Sequence, residues 1–202
     1  MNGAGLALPI VTLSEAQAYL RIEIGEEEAL LAGLIRSASG LCEAFINQVV
    51  IARTFELMLA ATGEWERLAV TPVRSITDVS SLDASGAATP LAPASYQIDI
   101  DSAGDGWVRV SRSQYLSAPN AVAGDYYSVD PTDGSLLTGG GSRVRVTGTA
   151  GIADGENDVP EPLRQGVLRL VAHLFTDRDG DGGEPPAAVT ALWRPYRRLR
   201  LA

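Results

Sequence analysis

The sequence predicts an α+β chain: a small α-helical bundle whose N- and C-terminal helices pack together, an all-β insertion between them, and a C-terminal tail. Three observations carry this expectation. Apolar residues recur at helical spacing from Leu30 to Val49 and again from Leu163 to Phe175. Between these segments the apolar period falls to two, as half-buried strands require. Residues 185–202 then hold four arginines and no acid. The expected organisation is 1–50 for the N-terminal helices, 51–150 for the β-rich insertion, 151–184 for the C-terminal core helix with an acidic loop, and 185–202 for a basic, aromatic tail.

The first helix opens at Thr12-Leu13-Ser14-Glu15. Thr12 can accept from backbone N–H groups while Glu15 reaches back, a capping box. Leu13, Ala16 and Leu20 share one face, and Gly25 breaks the pattern. Glu26, Glu27 and Glu28 begin the second helix, where negative charge suits the positive end of the macrodipole. Its stripe is Leu30, Leu31, Leu34, Ile35, Ala38, Leu41, Cys42, Phe45, Ile46 and Val49.

Phe55, Leu57 and Leu59 then alternate with Glu56 and Met58. Further short strands are expected at Leu68–Val70, Ile76–Leu82, Tyr96–Ile100 and Trp107–Val110, with a closing strand through Val144 and Val146. Asp83-Ala84-Ser85-Gly86 has hairpin-turn composition. The stretch 111–142 is rich in Gly, Ser, Ala and Pro and is expected to be loose, with Gly139-Gly140-Gly141 mobile. Helix returns after Asp158-Val159-Pro160, with Asp158 as N-cap. Its buried face is Leu163, Val167, Leu170, Val171, Leu174 and Phe175. Residues 187–201 read either as a short helix interrupted near Pro195 or as an extended tail.

Composition removes much of the enzyme repertoire. The chain has 202 residues, 46% of them hydrophobic, enough for one real core. All sixteen basic residues are arginine. Without lysine there is no Walker A loop and no Schiff base. One histidine rules out HExxH and multi-histidine metal sites, and one cysteine rules out an internal disulfide and CxxC motifs. The net charge of −9 argues against wrapping nucleic acid. Met1–Pro9 lacks the positive n-region of a secretory signal, and no apolar run is expected to span a membrane. An intracellular origin follows.

Four motifs invite chemistry. Asp177-Arg178-Asp179-Gly180-Asp181-Gly182 resembles the start of a calcium loop, but the twelfth position is Ala188 where a bidentate glutamate is needed. It reads as a solvated acidic turn. His173 and Cys42 both fall among apolar helix positions, which suits packing better than a nucleophile pair. The three glutamates at 26–28 point in different directions on a helix. The triple glycine leads towards a strand, without the helix N-terminus that a phosphate cradle uses. No catalytic residue, metal ligand or cofactor is expected. The segment Trp193-Arg194-Pro195-Tyr196-Arg197-Arg198-Leu199-Arg200-Leu201 remains, rich in the residue types that dominate interface hot spots.

Thr12-Leu13-Ser14-Glu15-Ala16-Gln17-Ala18-Tyr19-Leu20-Arg21-Ile22, the acidic break and the long second helix resemble the head–tail connector (adaptor) proteins of tailed double-stranded DNA phages and phage-derived gene transfer agents. So does the run from Asp158 to Phe175, with Leu163-Arg164-Gln165-Gly166-Val167 at its centre. Between them, Ala69-Val70-Thr71-Pro72-Val73-Arg74-Ser75-Ile76 and Tyr96-Gln97-Ile98-Asp99 match in style and spacing. The similarity spans nearly the whole chain outside 111–142.

The resemblance implies a non-enzymatic virion protein at the head–tail interface of a phage or phage-like particle, assembled in the bacterial cytoplasm. It implies a homo-oligomeric ring, a dodecamer, beneath the portal protein. That ring would extend the DNA channel and receive the next tail component, a stopper or tail terminator. DNA would pass without specific binding, and no membrane is involved. Trp193, Arg194, Tyr196, Arg197, Arg198 and Arg200 are the expected portal-binding residues. Two alternatives stay open: a DNA-binding accessory protein using the arginine tail, and a hydrolase or calcium-dependent module built on 177–184.

Overall fold

The computed structural model describes residues 4–23, 25, 27–83, 85–111, 127–129, 136–138, 143–177 and 185–198. They form a mixed α+β chain of two compact units. One comprises Gly5–Arg53 and Gly151–Ala202, the other Met1–Ala4 and Thr54–Ala150.

The first unit is helical. Helix α1, Leu13–Leu20, carries the expected capping box: Thr12 Oγ1 accepts from Glu15 N, and Glu15 Oε2 accepts from Thr12 N at 2.8 Å. It stops at Arg21, whose left-handed backbone caps the end. Helix α2 runs Glu28–Ile46, α3 Glu161–Thr176 and α4 Ala187–Trp193. The buried line of α2 is Leu31, Ile35, Ala38, Ser39, Cys42, Glu43 and Ile46. With Ile10 and Val11 it packs on Leu163, Val167, Leu170 and Val171 of α3, and Val189 and Trp193 complete the cluster.

The structure corrects the stripe expected for α2. Leu30 and Leu41 are exposed, while Ser39 and Glu43 are buried. Both buried polar side chains are satisfied. Ser39 Oγ accepts from Ile10 N at 3.0 Å. Glu43 receives the Arg53 guanidinium through two 2.7 Å bonds and Val50 N at 2.9 Å. A second correction concerns membranes. By length and composition α2 is apolar enough to cross one, contrary to the expectation. Its buried line packs into a helical core and its Glu43 is ion-paired, which is how a core helix meets the same criterion.

The second unit is built of strands: β1 Arg53–Ala60, β2 Glu66–Arg67, β3 Val73–Leu82, β4 Ala88–Pro90, β5 Tyr96–Ile100, β6 Gly106–Val110, β7 Tyr127–Val129, β8 Leu136–Thr138 and β9 Arg143–Ala150. They form sheets of order β1-β9-β3-β4 and β2-β6-β5, and β7 pairs with β8. Strand β3 runs antiparallel to β9 with Val79 opposite Val146 and Ser81 opposite Val144. Phe55, Leu57, Val79, Leu82, Val108, Val110, Val144 and Val146 are buried. Gly148 lies under Phe55 and the Ser75 carbonyl, where a Cβ would overlap both.

Local chemistry accounts for the β3–β4 turn. Asp83 Oδ1 accepts from Ser85 N and Ala87 N, each at 2.8 Å, and from the Ser85 hydroxyl. Those bonds hold its carboxyl below the ordinary range, led by the hydroxyl. Three expectations are corrected. Leu68–Val70 is not a strand; Leu68 and Val70 are buried beside it, and the pairing falls on Glu66–Arg67. The stretch read as loose contains the β7–β8 pair. The remaining parts of 112–142, including the triple glycine, lie outside the described residues. The N-cap of α3 is Pro160, because Asp158 closes a 3-10 turn at Glu156–Asp158.

Candidate functional site

The C-terminal segment is the place where the sequence concentrates interface chemistry, and the structure shows how it is held. Pro186 caps α4, and Val189 is fully buried. One turn on, Trp193 is 3% exposed. Its indole Nε1 donates to Leu163 O at 3.3 Å, and its ring lies 5.9 Å from that of Phe45, tilted by 53°. Gly166 of α3 faces the indole, so that a Cβ at 166 would overlap it. Tryptophan buries a large apolar area and still needs a partner for its N–H. The α3 carbonyl supplies one.

Beyond Trp193 the chain turns through a 3-10 helix, Arg194–Tyr196, with Pro195 inside it. Of the two readings of this segment, the interrupted helix is the one observed. Gln48 Nε2 donates to Tyr196 O at 2.5 Å, and Arg198 N donates to Ile46 O at 2.9 Å. Ile46 is the last residue of α2, whose terminal carbonyls lack intrahelical donors. The Arg197 guanidinium stands 5.4 Å from the centroid of the Phe45 ring. Its charge also lies at the α2 C-terminus, the end where a macrodipole favours cations.

The six expected site residues therefore separate. Trp193 is a core residue that anchors the segment. Arg194 and Arg197 are exposed, Tyr196 and Arg198 half-buried, and Arg200 lies outside the described residues. The expectation of a tail apart from the body is corrected for 185–198, which adds a short helix to the helical unit. Removing 190–202 would take Trp193 out of that core. The sequence reading missed this because four arginines outweighed a helical pair, Val189 and Trp193, spaced four apart.

The other candidates resolve more simply. Cys42 is fully buried, and burial raises its thiol far above the ordinary range, so it stays protonated. His173 is half-buried on α3. Among the described residues no group of three His, Cys, Asp or Glu side chains is placed to hold a metal. Glu26 and residues 178–184, with most of the calcium-like loop, lie outside them. A polar cluster that the sequence reading did not single out joins α1 to α3. Arg164 pairs with Glu15 and donates to Glu156 O at 2.6 Å. Burial alone would raise the Glu15 carboxyl, but the Thr12 bonds and the Arg164 charge together hold it below its ordinary value.

No family model and no curated protein matches the chain. Solved structures do. The neck of an empty gene transfer agent particle, computed with C6 symmetry, contains a chain 25% identical with a TM-score of 0.70; the match covers 98% of this chain and 96% of that one. The virion of a native gene transfer agent particle contains one at 24% identity and TM-score 0.69, covering 98% and 96%. The neck of the native particle, computed with C12 symmetry, contains one at 24% and 0.66, covering 100% and 97%. The likeness runs along the whole of both chains and agrees with the connector resemblance read from the sequence.

Proposed function

We propose that this chain is a non-enzymatic structural protein of the neck of a gene transfer agent or tailed-phage particle, located in the virion at the head–tail interface. The observation that carries the reading is the end-to-end likeness to neck structures, with nearly all of both chains covered. More finely, the protein acts as the head–tail adaptor. A ring of copies sits beneath the portal, extends the DNA channel and receives the next tail component. In this reading the helical unit is the body of an adaptor and the β unit an insertion within it.

The charge balance supports a conduit. A net charge of −9 per chain, multiplied around a ring, makes a negative collar. Like charge repels phosphate and withholds the counterion release that makes DNA adhere. Arg194, Tyr196, Arg197 and Arg198, with Arg200, form the portal-facing patch in this reading, and Trp193 acts beneath them by fixing the segment.

Mass-spectrometric counting of this chain in purified particles tests the assignment, with a copy number matching a twelvefold ring expected. Reversing Arg194 to glutamate should leave the protein folded and yield DNA-filled heads without tails. The loss should be sharper at low salt, since exposed ionic contacts are screened. Wild-type tail attachment would remove Arg194 from the portal contact. Tight duplex binding by the full chain would favour the DNA-binding accessory reading.

A further inference from the structure

We propose that the outward face of α2 is a contact surface between copies of this chain. The proposal rests on the ring reading above and names a face which that reading leaves open.

The face is a stripe. Leu30 is 37% exposed and Leu41 49% exposed, with Leu34 half-buried between them. Gly33, Ser37, Gly40 and Ala44 fill the spaces, and a Cβ built on Gly40 meets nothing within 4 Å. Positions 30, 34, 37, 41 and 44 are spaced by fours and threes, one side of a helix for roughly 21 Å at the usual rise. From Ala29 to Ile46 the only exposed charge is Arg36, in a chain that is 20% charged. A single exposed leucine is ordinary; two of them, joined by half-buried Leu34 along a helix with one exposed charge, mark an interaction surface.

Charge at the two ends of the stripe identifies the occupant. Glu23 and Glu27 are exposed at its N-terminal end, Glu27 on the same row as Leu30 and Leu34. At the other end stands Arg197, over Phe45. An apolar stripe with one acidic and one arginine pole is complementary to its own copy when opposite poles meet. A polyanion would be repelled by the acidic pole, and so would an anionic lipid surface. The neighbouring structures are necks computed with C6 and C12 symmetry, which repeats a chain around an axis. Contacts in such rings are head-to-tail, so a staggered neighbour can set the arginine pole of one copy against the acidic pole of the next.

The test places a photo-crosslinking benzoylphenylalanine at position 41 of the full-length protein, in purified form at high concentration and in assembled particles. Adducts to peptides of this same chain are expected in at least one of the two. Adducts only to another protein, or none in either setting, would overturn the proposal. Leu41→Asp, at an exposed site, should keep the wild-type melting temperature while weakening self-association or ring occupancy roughly tenfold or more. Glu27→Arg and Arg197→Glu should each weaken it, and the double reversal should restore it. Wild-type association by folded Leu41→Asp would also overturn the proposal. Absence of the wild-type chain from particles would sink the ring reading alone, because self-adducts in the purified protein would still uphold the contact.

Discussion

Individual side chains carry the sharpest expectations. Glu43 and Arg53 have side chains only 8% and 11% exposed, and Glu43 also accepts Val50 N. Glu43→Ala strips the carboxylate from a buried guanidinium and should cost about 3–5 kcal/mol, read as a fall in the denaturation midpoint. Glu15 offers a pH signature. Its folded-state carboxyl is held below the ordinary value of 4.5, so its stabilisation is complete above that value and disappears as pH falls through the folded one. Glu15→Gln keeps a capping-box partner while removing the charge. The melting temperatures of variant and wild type should differ by a constant amount from pH 7 to 5 and converge below about 4.5. Because the pair with Arg164 is partly exposed, the gap should be small, about 0.5–1 kcal/mol. The capping box was legible in the sequence because both partners lie within four residues. The Glu43–Arg53 pair was not, since ten residues and a change from helix to strand separate its members.

At the scale of elements, legibility followed locality again. Helices α1, α2 and α3 announce themselves through spacing and end signals, and the β3–β4 turn through Asp83. What failed was the choice between faces and the weight given to composition. Helix α2 has more apolar residues than its core contact can cover, so spacing alone could not say that Leu41 faces out while Glu43 faces in. The arginines of 194–200 disguised α4 as a tail, although Trp193 fills the space that Gly166 leaves. Trp193→Ala should destabilise the helical unit by about 3–5 kcal/mol, the usual cost of emptying a large aromatic site. Trp193→Phe should cost less, because it retains ring packing and loses mainly the bond to Leu163 O, about 1 kcal/mol. Equal midpoints for Trp193→Ala and wild type in urea would refute the core assignment.

For the molecule as a whole, the order of helices, strands and helices was legible, and with it the α+β class. The candidate site was legible as a stretch of sequence but not in its division of labour between an anchor and an exposed pair of arginines. That division depends on contacts between residues more than a hundred positions apart, such as Gln48 with Tyr196. One further feature, the junction at Ala52, has a consequence for how such a chain can change. Ala52 N donates to Ala153 O at 2.8 Å, and Ile51 bridges to Ala153 in parallel. Gly151 lies so close to Ala52 that a Cβ there would collide with its backbone. The helical unit is thus already closed on itself at the two points where the chain leaves and returns. Replacing 54–150 with a short Gly/Ser linker should give a cooperatively melting helical protein, measured by circular dichroism, since loop closure depends only weakly on length. By the same logic, lineages can lengthen, trim or exchange the excursion between these two points without renegotiating the core, and its surface becomes free to diversify while the helices stay fixed.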